Sequence, residues 1–499
     1  MRRLLFYKFM EIPKETVQTA PTPGKQSIIP AGIRQNAIWL LLAAWAVAGL
    51  LTIIFFDGTG DNGDSIFHYL FARYAPLHPR LFLNHWAKPL FVLISSPFAQ
   101  FGFTGMKVFN LSLVMLTGLV TFRTAICLDI KNPLLSVVFL IFAPLYYILT
   151  FSGLTEPLFA FSLILAIYLA INNKIPAAVL IISFLPFIRS EGLIIIMVFA
   201  IYLAWKKQWK YLPLLVTGHV VYSLAGYFAY HDLLWVFNKL PYANLEHKHG
   251  SGPLLHFVYQ LNYVIGIPLY FMLCLGFISY PLRWIWNKTA ILSDETLLVL
   301  FCFLSYFAAH SLFWYLGIFN SMGLKRVLLG VIPLISLIAL QGFNFATLGL
   351  FPGRKLARNV IGVLLISYLI IFPFTKNPAS ILWSRDMKLT NEQKTAKGIA
   401  AYIKEHPIAP GNRYFYTYPY LNEVLHVDPF DSLRRLDLTP WFLLSARRGD
   451  VVIWDNWFAV IESYSPVDSV AKQPGLKREI DFDADDNHRA VKFVIFRKE

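Results

Sequence analysis

Phe55–Lys88 reads FFDGTGDNGDSIFHYLFARYAPLHPRLFLNHWAK. Asp57, Asp61 and Asp64 fall within its first ten residues, and His68, Arg73, His78 and Arg80 follow. The stretch overlaps the end of the apolar run Ala37–Phe56, and the chain returns to apolar sequence directly after it. Polar groups held against apolar segments must be paired or used, because desolvating them alone is costly. This loop is therefore the candidate active site, and the rest of the chain is read around it.

The chain has 499 residues, of which 57% are hydrophobic and 15% charged. Soluble domains carry nearer 25% charged residues. Apolar runs of roughly 17–25 residues recur, the length that crosses about 30 Å of hydrocarbon. The composition predicts a polytopic membrane protein with aromatic belts at its interfaces. The net charge of +15 collects in short loops, where it sets orientation and can meet anionic headgroups, so it does not point to nucleic acid. The three cysteines, Cys127, Cys274 and Cys302, are scattered in or beside apolar runs and suggest neither disulfides nor a metal site. The basic segment 1–36 lacks a cleavage site after a short apolar core, and the first apolar run is long enough to stay as an anchor.

Eleven spans are expected: Ala37–Phe56, Met106–Arg123, Pro133–Phe151, Pro157–Ile171, Ile175–Ile188, Gly192–Ala204, Tyr211–Tyr230, Leu254–Tyr280, Leu297–Leu316, Lys325–Leu340 and Val360–Phe374. Segment 1–36 is expected in the cytoplasm, the loop region 57–104 outside it, and Lys or Arg in every inner turn. Within the loop, Ser65–Tyr74 has helical spacing, and Pro89–Phe101 reads as a short interfacial or re-entrant helix. A further external loop carries His247, Lys248 and His249. From Thr375 the composition turns polar. Glu392–Lys404 reads as a helix, and Arg413–Tyr418, Asp450–Trp454 and Val491–Arg497 as strands, so 375–499 is expected to be a small extracytoplasmic α/β domain. The fold class is thus mainly α: a transmembrane helical bundle over 37–374, with that domain appended.

Glycines 58, 60 and 63 favour an irregular turn that aims the three aspartates. A carboxylate in a partly dry site has a raised pKa and serves as a general base. Two neighbouring carboxylates, Asp61 and Asp64, can instead hold a divalent cation. The same residues also read as a solvated turn in which Asp64 or Ser65 caps the following helix.

Four segments carry a resemblance. Asp61-Asn-Gly-Asp64-Ser-Ile-Phe67-His-Tyr69 continues through Ala72-Arg73-Tyr74-Ala75 to Lys88-Pro89-Leu90-Phe91. Thr155-Glu156-Pro157-Leu158 opens a later span. Arg189-Ser190-Glu191-Gly192-Leu193 follows, then Gly323-Leu324-Lys325-Arg326-Val327 ahead of Pro333. Their order resembles the GT-C superfamily, multi-pass glycosyltransferases that take sugars from polyprenyl-phosphate carriers, including mannosyltransferases and aminoarabinose transferases. Asn62 and Gly63 separate Asp61 from Asp64, where many members have adjacent acidic residues. The alignment to the following Phe-x-Tyr favours Asp64 as the base, then Asp61, then Asp57. The resemblance implies inversion at the anomeric carbon and an extracytoplasmic lipid, glycan or protein acceptor.

In that reading Lys325 or Arg326 holds the donor phosphate, through bidentate or point-charge contacts. Arg73 and Arg80 are alternative phosphate ligands, and Glu156, Arg189 and Glu191 line the same cavity. His68 has an acceptor-binding or proton-relay role. Competing readings are interfacial snorkelling for Lys325 and Arg326, a local Arg189–Glu191 pair, a helix N-terminal carboxylate for Glu156, and an interfacial or hydrogen-bonded histidine for His68. The expected setting is a cell inner membrane. The alternative function is a transporter or flippase, whose sign is charge in mid-span; here the ionisable residues gather at span ends. A third reading is a non-catalytic assembly protein.

Overall fold

The computed structural model describes residues 31–241, 250–286, 288–351, 353–486 and 489–499. The basic segment up to residue 30 and the His247–His249 tract lie outside them. The described chain is mainly helical, with a small five-stranded sheet at its C-terminal end.

Among the described residues, seven helices are long and apolar enough to cross a membrane: Asn36–Phe55, Gly102–Cys127, Trp209–Tyr230, Ile267–Ile285, Glu295–Leu316, Lys325–Gly349 and Lys355–Phe374. The multi-pass architecture stands; the count of eleven does not follow from it. Glu156–Ile171, Ile175–Phe187 and Gly192–Trp205 are apolar but shorter. Pro133–Phe151 is two helices, Leu134–Ile141 and Pro144–Thr150. Pro144 lacks the amide that a continuous helix needs, and the extended Ala143 before it turns the chain. Leu254–Tyr280 likewise divides into His256–Ile265 and Ile267–Trp286 at Gly266. Hydropathy averages across such breaks, which is why sequence alone joined them.

Lys325–Gly349 is the most enclosed of the seven. It is apolar all round (VIPLISLIAL), as a helix in the middle of a bundle must be. Its main partner is Ile267–Trp286, and glycine sets their separation. A methyl on Gly342 would stand 1.8 Å from the Met272 carbonyl oxygen, and one on Gly276 would stand 2.2 Å from that of Ile338. The two backbones touch, the close approach that small residues permit inside membranes.

The loop after the first helix folds as the helix Asp64–Tyr74, a 3₁₀ turn Pro79–Leu83 and the helix Pro89–Ala99. Over it lies the C-terminal sheet: β1 (Tyr414–Phe415), β2 (Arg435–Leu436), β3 (Val451–Asp455), β4 (Leu476–Asp486) and β5 (Arg489–Lys498), in the order β2-β1-β3-β5-β4. β1 pairs parallel to β2 and β3, while β5 runs antiparallel to β3 and β4. The helix Asn391–Glu405 begins with a capping box in which Thr390 and Gln393 exchange hydrogen bonds. Its buried Ala396, Ile399 and Ile403 belong to the same apolar core as the bundle. The opposite sheet face has its own core around Phe415, Trp454 and Phe496.

Candidate active site

The turn before Asp64–Tyr74 is built on Asp61. Its Oδ1 accepts from the amides of Gly63 at 2.8 Å and Ser65 at 3.2 Å. Asp61, and neither Asp64 nor Ser65, therefore satisfies amides at the helix start. Gly60 takes φ +72°, a left-handed conformation that costs glycine little, and a side chain there would meet Ser152. Ser65 Oγ donates to the Thr59 carbonyl at 2.7 Å and accepts from Gly153 N at 2.8 Å, which ties the turn to the Phe151–Leu154 corner.

Onto this turn comes Arg326, from the start of the central helix. Its Nη2 bonds Asp64 Oδ2, Nη1 lies 3.9 Å from Asp61 Oδ2, and Nε lies 4.0 Å from Glu156 Oε1. Glu156, 1% exposed, also meets Arg189 Nη1 at 2.8 Å. Arg189 reaches Glu191 at 2.8 Å and donates to Thr155 Oγ1 at 3.1 Å. Glu191 lies 3.5 Å from His310 Nε2. Four segments distant in sequence thus form one chain of alternating charge, Asp61/Asp64, Arg326, Glu156 and Arg189–Glu191, which ends on the ring of His310 from a fifth.

Beside this chain stands Lys88, which the sequence reading quoted but did not single out. It is buried, adopts φ 69° just before Pro89, and donates to Ser190 Oγ at 2.7 Å. A non-glycine residue at positive φ marks a place where the surroundings fix the backbone. Burial lowers the Lys88 ammonium to about 8, with Glu191 opposing and Arg189 assisting. Burial, followed by Arg326, Arg189 and Lys88, holds His68 down at about 3. A neutral imidazole, stacked on Trp86 at 4.9 Å, therefore sits among three cations. Burial pushes Glu191 up, but Arg189 and then His310 outweigh it and hold the carboxyl at about 2.

This cluster is not internally satisfied. Arg326 Nη1, Arg189 Nε, His68 Nδ1 and Glu156 Oε2 are buried and lack a hydrogen bond, and Glu156 Oε1 has its ion pair with Arg189 alone at close range. Orphaned buried groups each cost about 1–3 kcal/mol, and a cluster of them calls for a ligand.

The remaining candidates lie elsewhere. Asp57 Oδ1 accepts from Leu389 N at 3.2 Å, on the linker to the sheet. Arg73 donates to Tyr69 Oη at 2.6 Å, and Tyr69 to Glu423 at 3.0 Å. Arg80 is exposed on the 3₁₀ turn. Lys325 Nζ lies over the Tyr263 ring at 5.6 Å. His78 pairs with Asp428 at 2.8 Å. Among the described residues no group of three or more His, Cys, Asp or Glu side chains is placed to hold a metal ion. At Asp61 and Asp64, the position that the sequence left open to a divalent cation, Arg326 supplies the opposite charge. Lys88 and His310 were the residues that sequence reading missed. Lys88 preceding a proline at the end of a polar loop was the available signal, and His310 gave none.

No protein-family model matches this chain, and no curated protein is significantly similar to it. Solved structures that share its fold include two of ArnT from Cupriavidus metallidurans. The apo form has a TM-score of 0.56 at 12% identity, and the form bound to undecaprenyl phosphate 0.53 at 11%. Each alignment covers 93% of this chain and 98% of ArnT. The chain thus shares the fold of ArnT over nearly its whole length.

Proposed function

We propose that the protein is a membrane glycosyltransferase that takes its sugar from a polyprenyl-phosphate carrier. One observation carries the reading: buried donors (Arg326 Nη1, Arg189 Nε) and a buried acceptor (Glu156 Oε2) lack hydrogen-bond partners side by side, with Lys88 and a neutral His68 adjoining. A sugar phosphate supplies what both lack. Phosphate oxygens accept from guanidinium and ammonium groups, and sugar hydroxyls donate to a carboxylate. ArnT, whose fold the chain shares, was crystallised with undecaprenyl phosphate.

In the proposed reaction an acceptor hydroxyl attacks the anomeric carbon. The bond from that carbon to the phosphate oxygen breaks, and the phosphate leaves with the electron pair. Asp64 takes the hydroxyl proton. Asp64 is the most exposed carboxylate of the cluster, with 41% of its side chain open, and Arg326 fixes one of its oxygens. The phosphate gains negative charge as it leaves, and preorganised cations stabilise it in a site that needs no reorganisation. We assign that task to Lys88, Arg189 and Arg326, which replaces Lys325, Arg73 and Arg80 as phosphate ligands. The reaction inverts the sugar and takes place on the extracytoplasmic side of an inner membrane, with a lipid, glycan or protein as acceptor.

The test is sugar transfer by purified protein in liposomes, with a panel of polyprenyl-phosphate sugars. Wild type is expected to consume one donor, and Asp64→Asn to consume none at equal folding. If Asp61→Asn alone is dead, the base is Asp61. Failure of wild type to consume any donor overturns the reading.

A further inference from the structure

The C-terminal sheet domain does more than cover the bundle: it grips the turn that carries the two aspartates. Three successive residues of the turn bond to the segment entering the helix Asn391–Glu405. Asp57 accepts from Leu389 N, Gly58 N donates to the Met387 carbonyl at 3.0 Å, and Thr59 Oγ1 accepts from Gln393 Nε2 at 2.8 Å. A methyl on Gly58 would stand 2.5 Å from the Met387 carbonyl carbon, so the two backbones are in contact.

The third bond matters most, because of what Thr59 does next. Its hydroxyl donates to the Asp61 carbonyl at 2.8 Å, and its own carbonyl accepts from Ser65 Oγ. Thr59 therefore holds both ends of the Asp61–Ser65 turn. A hydroxyl has one proton. Once its oxygen accepts from Gln393, that proton is committed to Asp61. Gln393 is itself fixed, since its Oε1 accepts from Thr390 N at 3.0 Å in the capping box. Thr59, Ser65 and Gln393 are all buried, so water does not replace a bond that is lost.

We propose that Gln393 is a positioning residue for the transfer reaction: through Thr59 it sets where the Asp61–Asp64 turn stands against Arg326. This rests on the glycosyltransferase reading, but the tether itself is separately measurable. Gln393→Glu keeps the acceptor for Thr390 N and so keeps the helix cap. Its second oxygen, when ionised, only accepts. The Thr59 proton then turns away from the Asp61 carbonyl and the turn loosens. When protonated, the same carboxyl donates as the amide did. A buried carboxyl titrates above its ordinary range.

The experiment uses the full-length protein in liposomes, with transfer measured against pH and backbone amide exchange measured over residues 57–65. Gln393→Glu is expected to lower kcat by about 10–100-fold at high pH, the cost of a misplaced catalytic group. Acidification should return it toward wild type, measured as a ratio to wild type so that Asp57, Asp61 and Glu392 cancel. KM for the donor should stay within about twofold, since the phosphate ligands are untouched. Thr59→Val should match Gln393→Ala, the double variant should be no worse than either, and Thr59→Ser should rescue. Amide exchange at Gly63 and Ser65 should quicken in Gln393→Ala. A pH-independent loss in Gln393→Glu, additive single variants, or unchanged exchange would each overturn the proposal. If wild type transfers no sugar while exchange at Gly63 and Ser65 still responds, the glycosyltransferase reading fails and the tether stands.

Discussion

The helix Lys325–Gly349 carries an ionic cluster at each end, and the two are built on opposite terms. At its start Arg326 joins Asp61, Asp64 and Glu156. Near its end, 15 residues from Arg326 and about 22 Å along a helix axis, Gln341 joins Glu295. There Glu295 accepts from Tyr280 Oη at 2.8 Å, from Arg283 twice at 3.0 Å and from Gln341 Nε2 at 2.9 Å. Both Glu295 oxygens are satisfied, and the bonds join three spans. At the Arg326 end the carboxylate at the centre, Glu156, has one close ion pair, to Arg189 at 2.8 Å, while Arg326 Nε stands 4.0 Å away and Oε2 has no hydrogen bond. A buried charge surrounded by donors acts as a knot between helices; one left short of partners is waiting for a ligand. Burial and charge content alone would not have separated the two ends. Satisfaction does.

This contrast predicts that variants at one end lower activity and variants at the other lower stability. The largest effect belongs to Asp64→Asn, whose transfer rate should fall by about 10²–10⁴-fold, the typical contribution of a general base. Its melting temperature should stay near that of wild type. Equal losses of both would erase the distinction. Lys88→Met comes next: the donor KM should rise by about 10–100-fold, since a charge-assisted contact is worth roughly 1.5–3 kcal/mol. Initial rates at varied donor concentration read this directly.

At the other end, Glu295→Gln should cost about 1–3 kcal/mol by leaving Arg283 without its charged partner, with Arg283 partly exposed. Per folded molecule, its transfer rate should be unchanged. A Glu295→Gln protein that melts like wild type but transfers poorly would break the comparison.

The smallest effect is a slope. His68 is held at about 3, below its ordinary 6.5, so between those values the unfolded chain binds a proton that the folded one refuses. Stability then falls as pH drops through that window, by up to about 1.4 kcal/mol per pH unit. Glu191, held at about 2 below an ordinary 4.5, adds its loss only below about 4.5. His68→Phe preserves a ring against Trp86 and should flatten the melting temperature between pH 6.5 and 5. An unchanged slope would mean that His68 is charged in the fold.

Much of the Arg326 end was legible in the sequence, because its parts are local. The 64–74 and 89–99 helices follow from spacing. Glu156, Arg189, Glu191 and Arg326 stood out as charges at the edges of apolar runs. Their assembly did not, since Arg326 and Asp64 lie 262 positions apart and no periodicity links them. Asp57 ranked behind Asp64 and Asp61 in the sequence, and what it does, accepting from the Leu389 amide, lies 332 positions away. Leu476–Asp486 hid as a strand because its sequence, LKREIDFDADD, is too charged to read as one. The Glu295 knot went unnoticed for a related reason: Glu295 opens a span, where a carboxylate ordinarily reads as a solvated end.

The most direct measurement is thermal unfolding of the purified protein with and without a polyprenyl phosphate, for wild type, Lys88→Met and Glu295→Gln. Ligand bound only by the folded state raises the melting temperature. The account predicts a rise for wild type and for Glu295→Gln, the latter from a lower baseline, and for Lys88→Met a rise that needs about 10–100-fold more ligand to appear. No rise in wild type, or a rise in Lys88→Met equal to that of wild type, would contradict it.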